Sequence, residues 1–123
     1  MDKKRILIID DEENMRHAIR RLLEPDGTYE IAEAGDGLEA EKRIKDFSPD
    51  LVILDIKMPG KFGYEICMNI KENPQMSHIK VVGISGISGG IGNAMMSTLG
   101  ADSYFEKPFD NDKFKNKITS LLK

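Results

Sequence analysis

Five side chains in this sequence stand directly behind short apolar runs, and their types suit one piece of chemistry. Asp10 and Asp11 follow the run from Ile6 to Ile9, and Asp55 follows Leu51 to Leu54. Ser85 follows the run ending at Ile84, and Lys107 closely follows Ser103 to Phe105. Carboxylates gathered within a few ångströms repel one another, which raises their pKa values unless a cation neutralises them. A set of hard oxygen ligands with open positions suits Mg²⁺, bound through one or two carboxylates plus waters and phosphate. An ionised aspartate is a competent nucleophile toward phosphorus and gives an acyl phosphate. The transferring group needs its oxygens neutralised, which a divalent ion and a lysine ammonium supply, and a serine hydroxyl can donate to one of them.

Each residue alone has a plainer reading. Asp10 or Asp11 could cap the helix that follows, and Asp55 before Met58, Pro59 and Gly60 could form a turn. Ser85 could be a loop serine and Lys107 before Pro108 a solvated loop cation. Four separate plain explanations would have to coincide at the ends of strands, and this favours the joint reading.

The elements that must position these residues are legible as alternating patterns. Ile6 to Ile9, Tyr29 to Ala34, Leu51 to Leu54, Ile79 to Ile84 and Ser103 to Phe105 read as strands. The stronger ones are continuously apolar rather than alternating, as expected for a parallel sheet buried on both faces. Helical periodicity covers Glu13 to Glu24, Gly37 to Phe47, Tyr64 to Asn73, Ala94 to Leu99 and Phe109 to Leu122, with Asp110 or Asn111 as a cap for the last. Pro25, Pro49, Pro74 and Gly100 punctuate the first four. Five strand–helix repeats predict a doubly wound α/β sandwich with right-handed crossovers. In such a fold ligands sit beyond the carboxyl ends of the strands, where the acids, the serine and the lysine all fall.

Composition excludes several classes. The 123 residues are 40% hydrophobic and 32% charged, with a net charge of −3, which reads as one globular domain over residues 1–123 without the basic footprint of direct nucleic-acid binding. A single cysteine, Cys67, rules out an intrachain disulfide and fits a reducing compartment. The apolar run after the N-terminal Lys3, Lys4 and Arg5 is too short for a signal peptide, and no run approaches a membrane span. A cytoplasmic protein is expected.

Together these residues resemble the receiver domain of two-component response regulators over essentially the full chain. The resemblance rests on Ile6 to Glu12, Asp50 to Gly60, Val81 to Gly86 and Gly100 to Phe109, with Ser85 placed 30 residues after Asp55 and Lys107 a further 22 on. It implies a flavodoxin-like (βα)₅ fold with strand order 2-1-3-4-5. It implies that Asp55 is the phosphoacceptor, and that Mg²⁺ or Mn²⁺ is held by Asp10, Asp11, Asp55 and the backbone carbonyl of Lys57. Lys107 would pair with the phosphoryl group across a cis Lys107–Pro108 bond. Ser85 would be the switch hydroxyl, and Tyr104 the aromatic whose rotamer reports the switch. It further implies a phosphohistidine donor on a sensor kinase or phosphotransfer protein, slow autodephosphorylation, and output through the fourth helix, fifth strand and fifth helix to a protein target. Two versions are open, a stand-alone regulator and a receiver from a larger protein.

The rival readings fare worse. A Mg²⁺-dependent aspartyl-phosphate phosphatase needs a second acid two residues after the nucleophile, where this chain has Lys57. A receiver that binds partners without phosphorylation would not need the intact set of three aspartates, serine and lysine. The segment from Gly83 to Gly92 holds five glycines in ten residues but lacks the Gly-Lys-Ser/Thr ending of a nucleotide loop. It suggests a mobile loop and a frayed start to the fourth helix. His17 and His78 read as surface or structural residues, and Met95 and Met96 as core and interface filler.

Overall fold

The computed structural model describes residues 3–56, 63–86 and 91–123, with the side chains of Asp26, Ile91, Asn93 and Met95 also outside that description. Five strands, β1 (Lys4–Ile9), β2 (Tyr29–Ala34), β3 (Leu51–Asp55), β4 (Lys80–Ser85) and β5 (Ser103–Glu106), alternate with α1 (Glu13–Leu23), α2 (Gly37–Phe47), α3 (Gly63–Glu72), α4 (Ile91–Thr98) and α5 (Asn111–Leu121). All strand pairs are parallel and the sheet order is β2-β1-β3-β4-β5, as the pattern and the resemblance imply.

Alternate residues of each inner strand enter opposite cores, because side chains on a strand point to alternate faces. Leu7, Ile9, Val52, Leu54 and Val81 pack with Ala40, Ile44, Ile66, Cys67, Ile70 and Met96 from α2, α3 and α4. Ile6, Ile8, Leu51, Ile53, Val82 and Ile84 pack with Ile19, Leu23, Phe114 and Ile118 from α1 and α5. The apolar continuity of β1 and β3 thus reflects burial on both faces. Phe114 completes the second core with an aromatic cluster, stacked on Phe109 at 4.6 Å and edge-on to Phe105 at 5.2 Å between ring centroids.

Register aligns the functional ends. Ile9 stands opposite Leu54, Asp55 opposite Ile84, and Ser85 opposite Glu106. Asp10, Asp55 and Ser85 therefore emerge on one edge of the sheet, with Lys107 just beyond it.

Several boundaries move for physical reasons. β1 begins at Lys4 rather than Ile6, since Lys4 and Arg5 pair with Tyr29 and Glu30. α5 begins at Asn111 rather than Phe109, because the Asp110 carboxylate accepts from the Lys113 N–H at 2.9 Å and sets the first turn. α4 begins at Ile91, not Ala94, and includes Gly92; packing of the fully buried Met96 outweighs the low helix propensity of glycine. The glycine-rich segment is also not one loop. Gly83 belongs to β4, where an added Cβ would meet Met96 Cε at 2.8 Å and Tyr104 Cδ1 at 3.3 Å. Residues 87–90, and with them Gly89 and Gly90, lie outside the described residues, as does Met95's side chain.

Candidate functional site

Among the described residues, Asp10, Asp55 and Ser85 are the buried polar ones, and they lie at the carboxyl edge of the sheet. Burial of carboxylates requires partners, and Lys107 provides one for both acids. Its Nζ donates to Asp10 Oδ2 and to Asp55 Oδ2, each at 3.2 Å, and lies 4.0 Å from the exposed Glu12 carboxylate. The Lys107–Pro108 peptide is cis, as the resemblance implies, and the Lys107 N–H donates to the Ser85 carbonyl at 2.7 Å.

The electrostatics follow from this crowding. Burial raises the Asp10 pKa; the N–H of Glu12 opposes it, the Asp55 charge adds to it and Lys107 works against it, and the balance is upward. Burial would lower Lys107, but Asp55 and Asp10 outweigh it and hold the ammonium protonated. Among the described residues one lysine thus serves two buried carboxylates, Asp10 and Asp55.

Asp10, Asp11 and Asp55 each offer a carboxylate oxygen, and these oxygens lie within 4.8 Å of one another. Asp11 is exposed and the other two are buried. An all-oxygen cluster open on one side fits a hard divalent ion such as Mg²⁺. Lys57, whose carbonyl was expected to complete the set, lies outside the described residues. The capping alternative for the acid pair is not realised: α1 has Glu12 at its N-cap with no side-chain cap bond. Asp10 Oδ1 instead accepts from the Glu12 N–H at 2.9 Å, just ahead of the helix.

Ser85 and Tyr104 stand together on the β4–β5 side. Their hydroxyls share a hydrogen bond, and the partly buried Tyr104 ring packs on the core that holds Met96. Burial raises the Tyr104 pKa, Ser85 counters it, and the charges of Glu106 and Asp55 add to it.

Two contributors are not visible in the site pattern. Gly63, the first residue of α3, donates its N–H to the Ile56 carbonyl at 3.0 Å; a Cβ there would collide with the Asp55 carbonyl and the Ile56 Cα. Arg16 on α1 donates to the Asp10 carbonyl at 2.7 Å. The available signal for Arg16 was its i, i+4 spacing with Arg20 on a helix facing the acidic strand β2. His17 is half-exposed beside Glu13 and Glu33, consistent with a surface role.

Comparison with known proteins agrees with this arrangement. Residues 6–119 match the family model of the response regulator receiver domain. The chain is 38% identical to the chemotaxis protein CheY of Halobacterium salinarum, covering 97% of each. It is 35% identical to the probable transcriptional regulator ycf27 of Porphyridium aerugineum, covering all of this chain but 50% of that protein, and 38% identical to 9% of histidine kinase P4 of Formosa agariphila. The chain thus spans half or less of some of the relatives it matches and nearly all of another. Among solved structures, the receiver domain of a DNA-binding response regulator from Colwellia psychrerythraea superposes with a TM-score of 0.93 at 28% identity over 98% of both chains. That of a Bermanella marisrubri response regulator gives 0.87 at 33% identity, over 99% of this chain and all of that one. The family match spans nearly the whole sheet and the helices around it, and the chain belongs to the response regulator receiver domains.

Proposed function

We propose that Asp55 is the phosphoacceptor of this receiver and that residues 1–123 form one phosphorylation switch. The observation that carries the reading is the shared Lys107 ammonium, 3.2 Å from both Asp55 and Asp10 at the end of the sheet. Asp10, Asp11, Asp55 and the carbonyl of Lys57 would hold Mg²⁺ or Mn²⁺, which when bound neutralises phosphoryl oxygens and the clustered acids.

In transfer, an Asp55 carboxylate oxygen attacks phosphorus and the P–N bond to a donor phosphohistidine breaks. The bonding pair stays with the imidazole, which takes a proton from solvent. The Lys107 ammonium moves from the Asp55 carboxylate onto a phosphoryl oxygen, and the Ser85 hydroxyl donates to another. Ser85 is then recruited away from Tyr104, so the two states differ in the partner of one hydroxyl. Phosphorylation shifts their balance only by its differential stabilisation of one of them. Water attack on the acyl phosphate, with Lys107 still in place, returns the free carboxylate. The output surface is α4, β5 and α5. The donor is a sensor histidine kinase or a histidine phosphotransfer protein in the cytoplasm, and the reader is a protein rather than nucleic acid bound directly by this domain.

Acetyl phosphate with Mg²⁺ is expected to add one phosphoryl group by intact mass, and Asp55→Asn to abolish the addition. Labelling that persists in that variant would move the acceptor to another residue.

A further inference from the structure

Asp10 is tied at every polar atom. Its N–H donates to the Ala34 carbonyl at 3.1 Å, Oδ1 accepts from the Glu12 N–H, and Oδ2 from Lys107. The remaining atom, the carbonyl oxygen, belongs to the peptide joining Asp10 to Asp11, and Arg16 Nη1 holds it at 2.7 Å. Arg16 is itself fixed. Its Nε donates to Glu33 Oε1 at 3.0 Å on β2, and both side chains are largely buried, 17% and 19% exposed. Glu33 is gripped from its other oxygen by Arg20 Nε at 2.7 Å, and Arg20 is anchored on the Ile31 carbonyl at 3.1 Å. Gly35 leaves room for the guanidinium, since a Cβ there would stand 3.1 Å from Nη1.

We infer that Arg16 is a positioning residue for the acid pair: braced by Glu33, it fixes the plane of the Asp10–Asp11 peptide and so pre-orients the Asp11 carboxylate for a divalent cation. Asp11 is exposed, so its direction is set by the backbone on either side of it. The Arg16 bond holds the peptide before it, and the bond from Glu12 N–H to Asp10 Oδ1 closes the turn after it. Groups that orient ligands without touching the metal change affinity by about 10- to 100-fold when removed. The planar fork matters here, because one guanidinium must reach a carboxylate and a carbonyl together, which a lysine ammonium on a flexible stem does poorly.

Charge alone makes the opposite forecast. A cation near the pocket repels Mg²⁺, so neutralising Arg16 would tighten binding and exchanging it for lysine would leave binding unchanged. The inference rests on the metal set proposed for this receiver, so the probe is Mg²⁺ alone, titrated calorimetrically into the 123-residue chain. Arg16→Lys and Arg16→Met are both expected to weaken Mg²⁺ by about 10-fold while the far-UV spectrum is kept. Gly35→Ala, which nudges the guanidinium without changing any charge, should weaken it by a smaller factor. A purely structural Arg16 would lower the urea midpoint in EDTA yet leave the Mg²⁺ dissociation constant of the folded protein alone; that result overturns the inference, as does tighter binding by Arg16→Met. If the Arg16 variants fail to fold, Gly35→Ala decides, and unchanged affinity there overturns it. A wild-type chain that takes up no Mg²⁺ would instead bring down the metal set itself, whereas wild-type binding with indifferent variants removes only the role of Arg16.

Discussion

Asp10 has no exposed surface and, among the described residues, shares its one ammonium partner with Asp55, so its negative charge is held at a cost to the fold. The sign follows from the upward pKa. A carboxyl that is harder to ionise when folded penalises the native state at pH values above its unfolded value, here near 3.8, and the penalty is complete once pH exceeds the folded value. Asp10→Asn should therefore raise the urea midpoint of the metal-free protein at neutral pH, and the advantage should fade as pH falls and be gone below 3.8, where the wild-type carboxyl becomes protonated in both states. Mg²⁺ should raise the wild-type midpoint by mass action and leave that of the variant little changed. Equal midpoints in EDTA would mean that Lys107 already compensates the charge in full. Glu33 is the converse case. Burial pushes it up, but the hydrogen bonds from Arg20 and Arg16 prevail and hold it below its ordinary 4.5. Its pairing stabilises the fold above that pH and is lost as pH drops through the lowered value.

At the level of elements, the sharpest requirement is the junction of β3 with α3. Gly63 opens α3 with its backbone against Asp55 and Ile56, and the atoms a Cβ would strike belong to the main chain, which cannot rotate aside. Gly63→Ala is expected to cost about 3 kcal/mol in urea unfolding and to slow acetyl phosphate labelling by displacing the Asp55 backbone. Gly86→Ala, with nothing within 4 Å of its Cβ, should change stability by less than about 0.5 kcal/mol. A tolerated Gly63→Ala would show that the α3 start can retreat from the strand. This contrast also marks what the sequence made legible. The strands could be read because both faces are buried and their apolar runs are unbroken, and the acids, serine and lysine could be read because they stand where those runs stop. Gly63 could not, and the spacing of Arg16 with Arg20 marked only a basic helix face and not its bond to the Asp10 carbonyl, because both roles depend on contacts between elements that local pattern does not encode. The start of α4 was misread for a related reason: the propensity of Gly92 is local, while burial of Met96 in the core against which Tyr104 packs is tertiary.

The whole molecule is a central sheet with two cores, and the site draws on both. Asp55 ends a strand whose side chains enter each core, while Lys107 lies between β5 and α5. Whether ligand at the sheet edge is felt through the entire fold can be asked at Cys67, which is wholly buried on α3 among residues of the first core. Burial drives its thiol up to about 11, with Lys71 working against the shift and Asp102 adding to it, so almost no thiolate exists at neutral pH in the native state. Cys67 is thus expected to resist an aromatic disulfide reagent until the chain opens, with a labelling rate that tracks the population of open molecules when opening is fast relative to reaction. If core and site unfold as one unit, Mg²⁺ at one hundred times its dissociation constant should slow labelling by about 100-fold, the equivalent of about 2.7 kcal/mol. Labelling that ignores Mg²⁺ would place the opening in α3 and its neighbours alone, so that the face carrying Cys67 unfolds without releasing the acid pair.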